Sequence, residues 1–187
     1  GYNPYIASWS PYHGAAYAVV EACSKVVAAG ADYEKMRFSY QEYFERMTDR
    51  KSWGKPLSAL LGALKMQVEF GLPSIGGKDS MSGTFENINV PPMLMAFGIT
   101  TVDAGQVISP ELKYEGNKPP PPPPPPPPNH MPNVEQLKAN WKFIHEQVQA
   151  ENIVSGYALG FGGLAEAVCK MSFGNGLDAK ITYDEKE

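Results

Sequence analysis

The sequence is poor in the residues that build metal, disulfide or redox centres. Among 187 residues there are 2 cysteines and 3 histidines. Cys23 and Cys169 both lie in apolar-periodic segments and read as reduced core thiols of a cytoplasmic protein, a disulfide or a nucleophile being the lesser readings. His13, His130 and His145 are scattered, with no second ligand type at metal spacing, so a zinc site is unsupported. No apolar run approaches the ~20 residues that span a bilayer. Residues Gly1 to Tyr5 have neither the basic start nor the apolar stretch of a secretory leader. The chain does not begin with Met, as expected of a piece cut from a longer polypeptide. Basic residues are outnumbered, 16 Lys+Arg against 20 Asp+Glu, for a net charge of −4. Without a basic block, nucleic acid and anionic membranes are disfavoured as partners.

What is present is globular. Hydrophobic residues make up 43% and charged residues 19%, enough for a core in one domain or two small ones. Proline is the outlier, with Pro119 to Pro128 in one unbroken run. Lacking backbone donors and fixed in φ, such a run is expected to be a polyproline II rod, ~30 Å long. It divides the chain into blocks 1–118 and 129–187, with 119–128 as a linker or placeholder. The run reads as a spacer, as a ligand for a proline-binding module, or as residues standing in for the natural sequence.

The first block opens with a loop rich in Pro, Tyr and Gly. A helix over Ala15–Ala29 follows, with Val19, Val20, Cys23, Val26 and Val27 as its buried stripe and Gly30 as its stop. A short helix is expected over Ser39–Met47. A longer one is expected from Pro56 to Gly71, burying Leu57, Leu60, Leu61, Leu64 and Val68. Gly76 to Gly83 reads as a glycine-rich loop, and Met93 to Val102 as an apolar strand in a well-covered sheet.

In the second block Asn133 is an N-cap with Gln136 three residues on, and Val134, Leu137, Trp141, Ile144 and Val148 line one helix face. A short strand at Ile153–Ser155, a glycine turn at Gly160–Gly163, a helix over Leu164–Phe173 and a strand over Ala179–Tyr183 follow. The order is α/β (α+β) in character. A block of 59 residues is short for a core of its own and is expected to lean on a neighbour.

Gly76-Gly77-Lys78-Asp79-Ser80 is the most chemically loaded stretch. Its glycines let backbone N–H groups approach an oxyanion, Lys78 offers a phosphate charge, Asp79 a Mg²⁺ ligand, and Ser80 and Ser82 add hydroxyls. It is not a Walker A loop, because Asp79 follows Lys78 where Ser or Thr is required. Phosphate binding and a tight structural turn are both open readings. Glu21 and Lys25 share a helix face at i and i+4, as a surface ion pair or as a face looking into a nucleotide cleft. The turn Gly160–Gly163 before a helix would fit an anion.

Gly76 to Ser82, followed by Asn89-Val90-Pro91-Pro92, resembles the signature of the large phosphoribosylformylglycinamidine synthases. Phe38 to Tyr43, Trp53-Gly54-Lys55-Pro56, and Tyr157 to Ala167 are similar to the same enzymes of anaerobic bacteria. The resemblance implies a carbon–nitrogen ligase of purine biosynthesis. Such an enzyme uses ATP, Mg²⁺ and glutamine-derived ammonia to convert formylglycinamide ribonucleotide to formylglycinamidine ribonucleotide. It also implies a synthase region of two fused aminoimidazole-ribonucleotide-synthetase-like units. This chain then corresponds to part of the second unit: the end of an N-terminal-type domain and the start of a C-terminal-type domain. The partners implied are the remaining synthase and glutaminase domains and nucleotide small molecules. No catalytic residue falls within this stretch.

By the same resemblance, Gly76, Gly77, Lys78, Asp79, Ser80 and Lys25 are expected to be cofactor-binding and Glu21 a metal ligand. Two positions depart from the family pattern. Lys25 stands where an asparagine is expected, and Phe161 where many members carry an aspartate. Each removes a hard-metal ligand. The expectation is therefore a degenerate auxiliary site, with a Lys25–Glu21 pair in the role of the metal, in a non-catalytic structural half. After Gly116-Asn117-Lys118 the family continues with an apolar strand, which ten prolines cannot form. That favours the placeholder reading of the run.

Overall fold

A computed structural model of the chain describes residues 1–116 and 129–180. The Pro119–Pro128 run and Ile181–Tyr183 of the expected last strand lie outside the described residues. Ala179 and Lys180 have no regular structure.

The chain begins with two helices, α1 (Pro4–Trp9) and α2 (Pro11–Ala28). Both start signals are local. Asn3 Oδ1 accepts from the Tyr5 and Ile6 amides, the Ser10 hydroxyl accepts from the His13 amide, and a proline follows each cap. The expected opening loop is thus helical, and α2 starts four residues before Ala15. Gly30, at φ +95°, ends it, and a Cβ there would lie 2.5 Å from the Gln106 carbonyl oxygen. Strand β1 (Arg37–Tyr43) follows a short 3₁₀ turn at Tyr33–Lys35. This corrects the expected helix over Ser39–Met47. Phe38, Tyr40, Glu42 and Phe44 alternate into the core with period two. Glu42 sits where that pattern calls for an apolar residue.

Helix α3 (Arg50–Phe70) starts six residues before Pro56, because Asp49 and Ser52 form a reciprocal capping box. Pro56 is therefore inside the helix. The expected buried stripe is also overturned. Leu57, Leu60, Leu61, Leu64 and Val68 are 47–71% exposed. The buried face is Pro56, Ala59, Ala63, Met66 and Phe70. It is the face that also carries Gly62, where a Cβ would lie 2.1 Å from the Tyr12 carbonyl oxygen. α2 and α3 meet through small residues, and that close approach selects which apolar face turns inward.

Strand β2 (Ser74–Ser80) replaces the expected glycine-rich loop over most of its length. A small hairpin, β3 (Thr84–Phe85) and β4 (Ile88–Asn89), leads to β5 (Met93–Ile99). The main sheet has order β2-β1-β5, with β1–β2 parallel and β1–β5 antiparallel. Its helix-facing side is covered by α2 and α3. On β5, Leu94 and Ala96 are buried while Phe97 and Ile99 are exposed, so the sheet is covered on one face rather than well covered on both.

Helix α4 (Val134–Gln149) carries the expected Asn133 cap and docks on the first block through Trp141. The indole lies between Tyr33 and Phe70, with ring centroids 5.2 and 5.0 Å away, and its N–H donates to the Ser24 hydroxyl. The expected strand at Ile153–Ser155 reduces to a single bridge between Ser155 and Ser109. Helix α5 (Gly163–Phe173) follows the glycine turn as expected. Cys23 is buried, but Cys169 on α5 is exposed and is not a core thiol.

The small-residue contact makes a test. Gly62→Ala is expected to destabilise the chain by about 1–3 kcal/mol through the clash with Tyr12. Gly54→Ala in the same helix meets nothing within 4 Å and is expected to be neutral or stabilising by about 1 kcal/mol. Urea melts of the two variants check the contrast.

Candidate functional site

The predicted site residues fall into two groups. Glu21 and Lys25 lie on α2; Gly76, Gly77, Lys78, Asp79 and Ser80 lie on β2 at the edge of the described sheet. No hydrogen bond or ion pair among the described residues joins the groups.

In the first group the Lys25 ammonium lies 2.6 Å from Glu21 Oε1, and the Tyr2 amide donates to Glu21 Oε2 at 3.0 Å. Both carboxylate oxygens are engaged by donors of the chain. Phe161 stacks on Tyr5, with centroids 4.9 Å apart and an interplanar angle of 12°, and offers no oxygen. The glycine turn before α5 does receive an anion, but an internal one. Glu166 Oε2 accepts from the Gly162 amide at 2.9 Å, and Oε1 pairs with Lys170. These bonds hold the Glu166 carboxyl below its ordinary range: the Lys170 hydrogen bond first, the Gly162 amide second, with a smaller contribution from the Lys25 charge. The Mg²⁺ implied by the family resemblance does not fit this donor set. Glu21 is already neutralised, Lys25 adds a repelling charge, and Phe161 contributes no ligand.

The second group is extended strand rather than the expected glycine-rich loop. Gly77 is needed because a Cβ there would lie 2.6 Å from the Tyr40 carbonyl oxygen, whereas Gly76 meets nothing. Lys78 places its ammonium 5.6 Å from the Tyr43 ring centroid. Ser80 and Ser82 hydroxyls are 3.5 Å apart. Asp79 is exposed and pairs in register with Glu42.

Glu42 is the residue that sequence reasoning passed over. It is 6% exposed, and its Oε1 has no hydrogen-bond partner. Burial first, and the Asp79 charge second, push its carboxyl up to about 7. The available signal was a lone glutamate on the buried phase of an aromatic alternation, hidden once the segment was read as helix. Cys23 shows the inert counterpart: burial pushes its thiol up to about 12, too high for a nucleophile. A cavity of about 340 Å³ lined by Asp32, Lys35, Asp103, Gln106 and His145 lies apart from all the predicted site residues.

The raised Glu42 value sets a pH dependence. Between pH 4.5 and about 7 the folded chain holds a proton that the unfolded chain has released. Stability contributed by neutral Glu42 is therefore full at low pH and lost as pH rises through that window, on the order of 3 kcal/mol. Glu42→Gln is expected to flatten this slope and to be more stable than wild type at pH 8. Denaturant melts at pH 5 and 8 check it; equal slopes in both proteins would show that Glu42 carries no such penalty.

No protein-family model matches the chain, and no curated protein does. Solved structures do match in fold. T. maritima PurL complexed with AMPPCP aligns at TM-score 0.59 and 17% identity, over 89% of this chain and 27% of that one. PurL complexed with ATP aligns at 0.57 and 17%, over 88% and 27%. PurL complexed with ADP aligns at 0.55 and 18%, over 78% and 23%. The chain thus spans about a quarter of the length of the structures it matches. It has a mixed α/β fold similar to that of PurL.

Proposed function

We propose that the chain is a structural portion of an ATP-dependent carbon–nitrogen ligase of the formylglycinamidine-ribonucleotide-synthase type, acting in purine biosynthesis in the cytoplasm. On this reading residues 1–118 end one synthetase-like domain and residues 129–187 begin the next. The remaining synthase and glutaminase domains supply the glutamine-derived ammonia and the chemistry. Support comes from the motifs around Gly76–Ser82 and Tyr157–Ala167 and from the fold likeness to PurL structures solved with ATP, ADP and AMPPCP.

The observation that supports this local role is the engagement of Glu21 by Lys25 and the Tyr2 amide. At the positions where the family is expected to place metal and anion, this chain uses its own groups. Lys25 neutralises Glu21, and Glu166 caps the amide of the glycine turn. The role is therefore to hold the two blocks together, as the Tyr5–Phe161 stack and the Trp141 dock do, and not to turn over nucleotide. The edge strand Gly76–Ser80 remains the place where a phosphate-bearing ligand of the whole enzyme would meet Lys78. ATP and Mg²⁺ are the cofactors of that whole enzyme.

Calorimetric titration with Mg²⁺–ADP checks this. The wild-type chain is expected to show no Mg²⁺-dependent binding of ADP, and Lys25→Asn with Phe161→Asp is expected to gain measurable affinity for Mg²⁺–ADP. Stoichiometric Mg²⁺–ADP binding by wild type, lost in Glu21→Gln, would overturn the structural role.

A further inference from the structure

The β1–β2 edge of the sheet holds a second acidic group, distinct from Glu21. Glu42 and Asp79 are register partners on adjacent parallel strands, so their side chains leave the same face about 5 Å apart. One is buried and one exposed. Seven ion pairs occur among the described residues, and neither Glu42 nor Asp79 takes part in one. Lys78, the adjacent cation in sequence, lies against Tyr43, and strand alternation puts both on the opposite face.

Two buried polar atoms on that face lack partners. Glu42 Oε1 and the Tyr40 hydroxyl have no hydrogen bond, in residues 6% and 8% exposed. Such atoms are rarely left unpaired, because each forfeits its hydration on folding. Opposite Tyr40 the partner strand carries Gly77, so no side chain closes the space beside the phenol. Tyr40, Glu42 and Asp79 thus share one face of the β1–β2 pair, with two unpaired buried oxygens among them.

We propose that this face of the β1–β2 edge holds a divalent-cation site, with Glu42 and Asp79 as its carboxylate ligands. A hard cation answers both faults at once: it cancels the repulsion of two adjacent carboxylates and coordinates the orphaned Glu42 oxygen. Small divalent ions such as Mg²⁺ are held by one or two carboxylates with the other positions filled by water or ligand oxygens. The exposed Asp79 side leaves those positions open to water or ligand oxygens. No thiolate or imidazole is in the set, which selects against softer metals. The site does not depend on the ligase reading, since it rests on the strand register and the unpaired atoms alone.

Mn²⁺ is the probe, titrated into the 187-residue chain with free ion followed by electron paramagnetic resonance. One saturable Mn²⁺ per chain, displaced by Mg²⁺, is expected. Glu42→Gln and Asp79→Asn are each expected to weaken it by about tenfold or more, and Glu21→Gln to leave it unchanged. Mg²⁺ is expected to raise the melting temperature of wild type. Glu42→Gln is expected to melt higher than wild type without metal and to gain nothing from it. Asp79 is exposed, so its variant keeps the test open if the Glu42 variant misfolds. Absence of saturable binding, or binding that survives both substitutions, overturns the site; Glu42 is then simply a protonated acid. Binding lost only in Glu21→Gln places the ion on α2 and overturns this site too, together with the closed reading of Glu21.

Discussion

The closeness of α2 to α3 governs the rest of the structure. Gly62 lies so near the Tyr12 backbone that no side chain fits between them, and α2 answers with Ala15, Ala16, Ala18 and Ala22. A contact of this kind gains from dense packing rather than from large apolar area. It also turns the leucine face of α3 outward, since a helix cannot present two faces to one neighbour. With α3 so oriented, Met66 and Phe70 meet the aromatic residues of β1 and the indole of Trp141. The docking of the second block thus follows from where small residues sit in the first.

The same geometry defines the sheet edge. The helices cover one face of β1 and β5, while β2 stays exposed along its length. Glu42 therefore lies at the boundary of the core, buried by the helices but beside an open strand. A carboxylate placed there has no ion-pair partner among the described residues and faces Asp79 in register. Burial and like charge act in the same direction on it, and both raise its affinity for a proton.

At the other end of α2 the chain has resolved its charges internally. Glu21, Lys25, Glu166 and Lys170 alternate in sign across two helices, with backbone amides of Tyr2 and Gly162 completing the carboxylates. These pairs are largely exposed, so each contributes little to stability. Their consequence is chemical: both Glu21 oxygens and the Gly162 amide already have partners within the chain.

What the sequence determined by itself was whatever is encoded locally. The α4 cap at Asn133 and its Trp141 face, the stop at Gly30, the helix after Gly160–Gly163 and the i, i+4 pairing of Glu21 with Lys25 were legible because each depends on residues within one or two turns. The caps at Asn3, Ser10 and Asp49 were equally local and were passed over in favour of later starts. Tertiary structure alone decided three things. It chose the alanine and glycine face of α3 over the leucine face, because hydrophobicity marks both and only the fit to α2 separates them. It drew Gly76–Ser80 out into an edge strand, because β1 was there to pair with it. And it set Glu42 beside Asp79, thirty-seven positions away in the chain, because strand register brings together side chains that no sequence spacing connects.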